Sequence, residues 1–113
     1  MAEIVKKELH ENLQMEDKKF KSLAFKSNIR MNKVLFKNCT FEEVVFDAEF
    51  TNCNFMNCIF KDCKIKETSI WKRNFFNRQT YFWNVLNQSK NWNNNYFEPK
   101  TKNKKTTTIK KET

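Results

Sequence analysis

The chain has 113 residues and a formal net charge of +9, with 12 Phe, 4 Cys, one Pro and no Gly. That length fits one small domain with tails, and an aromatic content of 15% indicates a packed core. The sequence holds no apolar run of the ~18 residues that a membrane-spanning helix needs, no apolar stretch typical of a secretory signal and no Gly-rich phosphate loop.

The first twenty residues predict a short amphipathic helix. Val5, Leu9, Leu13 and Phe20 have nearly helical spacing, and Lys, Glu and Gln, which favour helices, fill most positions between them. We therefore expect residues 1–20 to form a helical cap on the segment that follows. His10 is the single histidine of the chain, and we expect it to be solvated on this helix.

A five-residue repeat runs through residues 21–70. Large apolar side chains recur in steps of five, with one step of four, at Phe36, Phe41, Phe46, Phe50, Phe55, Phe60, Ile65 and Ile70. A smaller side chain stands two residues before each of them. Neither a helix nor a plain strand buries such a series, because their side-chain periods are 3.6 and 2. A chain that turns a corner every five residues buries both sets, and its coils stack as parallel strands about 4.8 Å apart.

This pattern, from Leu23 to Ile70, resembles the pentapeptide-repeat family, whose motif is loosely A(D/N)LXX with Leu or Phe at the centre. The resemblance implies a mainly β fold, a short right-handed quadrilateral β-helix of about 2.5 coils. Its structural core would contain Phe36, Cys39, Phe41, Phe46, Phe50, Cys53, Phe55, Cys58, Phe60 and Cys63. The four-residue step from Phe46 to Phe50 would make a local kink or bulge. Family members that mimic DNA have strongly acidic faces, whereas this repeat is nearly neutral, which argues against mimicry.

The four cysteines lie at inward positions of the repeat. Their spacing of fourteen, five and five residues differs from the CxxC-like spacing of zinc sites. A buried thiol acts as a small hydrophobic group, so we expect core thiols, with a disulfide or a metal site as alternatives. Cys39 and Cys58 are the pair that stacking would bring together. Core thiols suit a reducing compartment, and we expect a cytoplasmic protein.

Residues 71–98 are rich in aromatic side chains. Trp71, Phe75, Phe82 and Leu86 follow helical spacing and predict an amphipathic C-terminal helix, followed by an Asn-rich loop. Two interpretations remain open. The aromatic residues cap the last coil or form a homodimer interface, or they lie exposed among basic residues and stack on nucleic-acid bases.

The excess positive charge lies in the C-terminal half. Residues 1–63 hold ten basic and ten acidic residues, whereas residues 64–113 hold twelve basic and three acidic ones. Residues 99–113 form a low-complexity basic segment that we expect to be disordered. This segment is either a solvated tail or an arm that contacts phosphates without sequence preference.

The sequence contains no catalytic constellation, and we expect a protein that is not an enzyme and has no cofactor or metal. The first hypothesis is an adaptor or small inhibitor that docks on a protein partner through the β-helix faces and the basic C-terminal block. That partner could be a nucleic-acid-handling machine. The alternative is direct binding to RNA, DNA or a ribonucleoprotein. The candidate partner-binding residues are Trp71, Lys72, Arg73, Arg78, Lys90, Lys100, Lys102, Lys104, Lys105, Lys110 and Lys111.

Overall fold

The computed structural model describes residues 9–100, and this part of the chain contains sixteen β-strands and no helix. The first coil holds β1 (Leu9–Glu11), β2 (Gln14–Glu16) and β3 (Lys19–Phe25). The second holds β4 (Arg30–Asn32), β5 (Leu35–Lys37) and β6 (Thr40–Phe46). The third holds β7 (Glu49–Thr51), β8 (Asn54–Met56), β9 (Ile59–Lys61) and β10 (Lys64–Ile65). The fourth holds β11 (Ile70–Lys72), β12 (Phe75–Phe76), β13 (Tyr81–Trp83) and β14 (Leu86–Asn87), and β15 (Asn91–Asn93) and β16 (Tyr96–Phe97) begin a fifth.

These strands form a β-solenoid of about four turns. Every strand pairs in parallel with its counterpart on an adjacent coil. The order β1-β4-β7-β11-β15 makes one sheet, and β2-β5-β8-β12-β16 makes a second. The long strands β3 and β6 bend around a corner, so that β6 pairs with β9 along its first half and with β10 along its second. Each coil therefore contributes to four ladders of strands.

Most corners of the solenoid use a residue with positive φ. Twelve non-glycine residues have φ between 51° and 58°: Asn12, Asp17, Ser22, Lys33, Asn38, Glu43, Asn52, Asn57, Asp62, Arg73, Asn84 and Asn94. Most are Asn or Asp, whose short polar side chains tolerate the left-handed region better than other residues do. Six Asn residues of this glycine-free chain therefore stand at corners.

The core consists of side chains stacked in columns along the solenoid. The residues Met15, Phe36, Phe55, Phe76 and Phe97 occupy one register position on successive coils. The rings of Phe36, Phe55 and Phe76 are nearly parallel. The ring centroids are 4.8 Å apart between Phe36 and Phe55, and 4.8 Å apart between Phe55 and Phe76. A second column stacks Phe20, Phe41, Phe60 and Phe82. The ten residues expected in the structural core are all buried.

The expected N-terminal helix over residues 1–20 is wrong for residues 9–20, which form β1, β2 and the start of β3; residues 1–8 lie outside the described part. His10, Met15 and Phe20 continue the five-residue step and are buried, whereas Leu9 and Leu13 are exposed. His10 was expected in solvent but is buried, and its Nε2 has no hydrogen-bond partner among residues 9–100. It stacks in register on Met31 at the first position of its column.

The expected C-terminal helix and Asn-rich loop are also wrong. Residues 70–97 form β11 to β16, which pair in parallel on the coils before them. Parallel pairing of β11 with β7 places Trp71 beside Phe50, and pairing of β15 with β11 places Trp92 beside Trp71. Because both flanks fold as coils, the solenoid has about four turns rather than the expected 2.5.

The four-residue step from Phe46 to Phe50 shortens one corner of the solenoid. The corresponding corners of the first and third coils contain a turn in which Ile29 N–H donates to Lys26 O and Ser69 N–H donates to Lys66 O. The second coil lacks two residues at this point. Stacked residues are therefore 19 positions apart at Asn32 and Thr51, but 21 apart at Glu11 and Asn32.

Candidate interaction surface

The aromatic residues of 71–97 divide into an inward and an outward set, because successive strand residues point to opposite sides. The inward set continues the core columns and consists of Trp71, Phe76, Phe82, Trp92 and Phe97. The outward set consists of Phe75, Tyr81, Trp83 and Tyr96. Both interpretations of this block therefore describe part of it: some rings complete the core, and others lie on the surface.

Trp71 was expected to bind a partner, but it is fully buried. Its ring lies 4.2 Å from that of Phe50, centroid to centroid, and its Nε1–H donates to Ser69 Oγ at 2.8 Å. Ser69 Oγ–H donates in turn to Ala48 O. A partner cannot reach this indole without opening the coil, so Trp71 is a core residue.

The other expected binding residues lie on different sides of the solenoid. Lys72 belongs to β11, and Arg73 stands at the next corner, where its Nε–H donates to Asn52 Oδ1. Lys90 forms an exposed ion pair with Glu67. Arg78 and Lys100 lie together on another side. The residues Lys102, Lys104, Lys105, Lys110 and Lys111, with most of the expected disordered segment, lie outside the described residues.

Tyr81 and Trp83 are outward neighbours on β13 that the sequence analysis did not select. They flank the inward Phe82, and 47% of Tyr81 and 60% of Trp83 are exposed. Lys61 on the adjacent strand β9 is the register partner of Trp83, and its Nζ lies 5.0 Å from the centre of the indole ring. The signal in the sequence was the triplet at 81–83, since alternation in a strand must expose at least one of its three rings.

Lys100 lies beside Tyr81 and contacts the backbone of Arg78. Lys100 Nζ lies 5.9 Å from the Tyr81 ring centre and donates to Arg78 O at 3.1 Å and to Thr80 O at 2.7 Å. Burial lowers the pKa of Lys100 from its usual value. Arg78 forms an ion pair with Glu98, and its backbone N–H donates to the same carboxylate. We call Lys61, Arg78, Tyr81, Trp83 and Lys100 the β13 surface.

Buried polar side chains hold the corner that leads into β13. Thr80 Oγ–H donates to Phe55 O, and Thr80 Oγ accepts from Cys58 N–H at 2.9 Å. Asn77 Oδ1 accepts from Asn57 N–H, which fixes the start of this corner on the coil below. These bonds satisfy groups that burial would otherwise leave unpaired, and they set the direction in which Tyr81 and Trp83 point.

A similar ladder of amides supports the last coils. Asn74 Oδ1 accepts from Cys53 N–H, and Asn74 Nδ2 donates to Phe50 O. Asn95 repeats this arrangement one coil later, with its Oδ1 accepting from Asn74 N–H and its Nδ2 donating to Trp71 O. The Asn-rich composition that favoured a loop in the sequence is therefore structural, because these amides replace the apolar inward residues of earlier coils.

The four cysteines are free and buried. Each thiol donates to backbone carbonyls; Cys58 Sγ–H, for example, contacts Phe36 O at 3.3 Å. Burial raises the pKa of Cys53 to about 12, and it also raises that of Cys63. Within residues 9–100 the structure contains no group of three or more His, Cys, Asp or Glu side chains arranged to hold a metal ion.

Comparison of the sequence with protein-family models and with curated proteins gives no match. In the described part of the chain there is no helix with the length and apolar character needed to cross a membrane.

Proposed function

We propose that this chain is a pentapeptide-repeat protein with a right-handed quadrilateral β-helix. Three observations support the assignment: the step between inward side chains, which is five residues at most positions and four or six at a few, the four ladders to which each coil contributes, and the positive-φ residue that recurs at the corners. The repeat that the sequence shows between Leu23 and Ile70 continues through both flanks.

The function that this geometry supports best is non-enzymatic binding of a macromolecular partner at the β13 surface. The exposed pair Tyr81 and Trp83 is the observation that carries the proposal. The solenoid does not need aromatic residues there, because the matching outward positions on earlier coils hold Lys19, Thr40 and Ile59 beside Tyr81, and Lys21, Glu42 and Lys61 beside Trp83. Exposed Trp and Tyr beside basic side chains are typical of residues that dominate binding energies.

The buried polar side chains of residues 9–100 stabilise the fold. Four buried polar side chains form hydrogen bonds to backbone groups: Ser69, Asn74, Asn77 and Thr80. The buried thiols fit a protein that works in a reducing compartment, which keeps the cytoplasm as the proposed location. We therefore propose a binding module, an adaptor or an inhibitor, rather than an enzyme.

Site-specific photocrosslinking tests the proposal. Benzoylphenylalanine would replace Trp83 in the full chain, and in a matched control it would replace Lys21, which occupies the same register column on the first coil. We expect crosslinked adducts in source-cell lysate from position 83 and none from position 21. Equal adducts from both positions, or none from position 83, would contradict a binding role for the β13 surface.

A further inference from the structure

The β13 surface combines two exposed rings with Lys61 and Lys100, which form no ion pair within residues 9–100. We propose that it is a stacking platform for single-stranded nucleic acid, with Tyr81 and Trp83 receiving two unpaired bases and Lys61 and Lys100 contacting the phosphates between and beside them. This inference rests on the binding role proposed above for the same surface, and it names the class of partner.

The spacing of the rings suits successive unpaired bases. Tyr81 and Trp83 are two residues apart on one strand, so their side chains leave the same side about 6.7 Å apart. An unstacked single strand can place neighbouring bases at this distance, and stacking on an aromatic ring accepts any base. The bases of a duplex are already stacked on one another and do not offer their faces to such a platform.

The position of β13 leaves its rings accessible. β13 is the last strand in the order β13-β9-β6, so β9 lies on one side of it and no strand of residues 9–100 lies on the other. Lys61 approaches Trp83 from β9, and 60% of the indole remains exposed. A base can therefore approach from the side that faces away from β9.

The charges around the platform favour an anion. Within residues 9–100, Lys61 and Lys100 form no ion pair with a carboxylate, whereas Arg78 is neutralised by Glu98. Asp62 also lies beside Trp83, where its N–H donates to Trp83 O and its Oδ1 accepts from Asn84 Nδ2. The chain continues from Lys100 into a sequence with further lysines at Lys102, Lys104, Lys105, Lys110 and Lys111.

An acidic protein segment would use the same lysines but would not need two rings at base spacing. Stacking and charge also leave different signatures, because a phosphate contact changes the salt dependence of binding while a stacked base does not. For single strands, the slope of log affinity against log salt changes by about 0.7 for each phosphate contact. Loss of a stacked ring lowers affinity by roughly ten-fold at every salt concentration.

The experiment measures fluorescence anisotropy of labelled oligouridylate, oligothymidylate and a duplex of equal length, with the full chain across a KCl series. We expect single strands to bind more tightly than the duplex. Trp83→Ala and Tyr81→Ala should each weaken binding about ten-fold without changing the salt slope, and Trp83→Phe should retain most of the affinity. Lys61→Ala should reduce the slope by about 0.7. Tyr96→Ala is the matched control, because Tyr96 is 54% exposed on a different ladder, and it should bind like the unmodified chain.

Tighter duplex binding, or equal loss with Trp83→Ala and Tyr96→Ala, would overturn the platform. In the unmodified chain, photocrosslinking of a 4-thiouridine oligonucleotide gives a second measurement that needs no variant: the label should map to the peptide that contains Tyr81 and Trp83, and a label confined to other peptides would refute the inference. Failure here can be separated from failure of the proposed function. If position 83 captures a protein in nuclease-treated lysate while no single strand binds, the surface is a binding site but its partner is a protein.

Discussion

Replacing Phe55 by alanine should remove more stability than any comparable change at the end of the same column. Phe55 is fully buried, and its ring stacks 4.8 Å from Phe36 on one side and 4.8 Å from Phe76 on the other. Truncating a buried Phe costs about 3–5 kcal/mol, because the transfer free energy is lost and a cavity remains between the neighbouring rings. Since domains of this size have a free energy of unfolding of about 5–15 kcal/mol, Phe55→Ala should remove a large fraction of the stability of the chain.

Phe97 provides the matched control, because it is the last ring of that column. Its ring stacks 4.5 Å from Phe76, and 46% of the residue is exposed. Phe97→Ala loses about half of the transfer free energy and leaves no closed cavity, so it should cost about 1–2 kcal/mol. Urea unfolding followed by far-UV circular dichroism measures both values, with Phe55→Leu as a milder variant if Phe55→Ala does not fold. A cost at Phe55 equal to or below the cost at Phe97 would refute the stacked column.

Three further predictions concern single positions. His10→Leu should raise the free energy of unfolding by about 1 kcal/mol, because it removes a buried Nε2 that has no partner among the described residues; destabilisation would show that the imidazole is satisfied. Lys33→Gly should stabilise by about 0.5–1 kcal/mol, since Lys33 has a φ of 57°, while Lys37→Gly within β5 should destabilise; equal signs in chemical denaturation would contradict the corner assignment. Burial raises the pKa of Cys53 from 9.0 to about 12, so the unfolded chain releases this proton first and stability should fall as pH rises from about 9 towards 12. Cys53→Val should flatten this part of the stability–pH curve, and an unchanged curve would argue against the buried thiol.

The repeat could be predicted because one residue type marked its inward positions. From Phe36 to Phe60 every inward central position is Phe, and a step of five residues fits a chain that turns regularly. The buried state of the cysteines followed from the same step, because each stands two residues before an inward central residue. Sequence reasoning therefore succeeded where the inward residues were uniform.

The N-terminal coil escaped prediction because its inward residues are chemically mixed. His10 and Met15 occupy the positions that Phe fills later, while the apolar Leu9 and Leu13 are exposed. Those two leucines happen to be four residues apart, which imitates helical spacing. Polarity alone placed His10 in solvent, whereas pairing of β1 with β4 places it in the core beside Met31.

The C-terminal coils were missed for the opposite reason, since aromatic residues stand at inward and outward positions alike. Phe75 precedes Phe76, and Tyr81 and Trp83 flank Phe82, which hides the five-residue step from Trp71 onward. The β13 surface could not be assembled from sequence either. Lys61 and Lys100 are far from Trp83 along the chain, and only the stacking of coils brings them to one side.

The fold and the β13 surface both depend on the division of the C-terminal aromatic residues between core and surface. A nuclear Overhauser measurement between the indole protons of Trp71 and Trp92 tests it directly. The solenoid places the two ring centres 5.3 Å apart and predicts cross-peaks between them. In a continuous helix the same residues would be separated by about 30 Å, because each residue rises 1.5 Å. Missing cross-peaks together with helical chemical shifts over residues 71–87 would contradict the fold and the surface built on it.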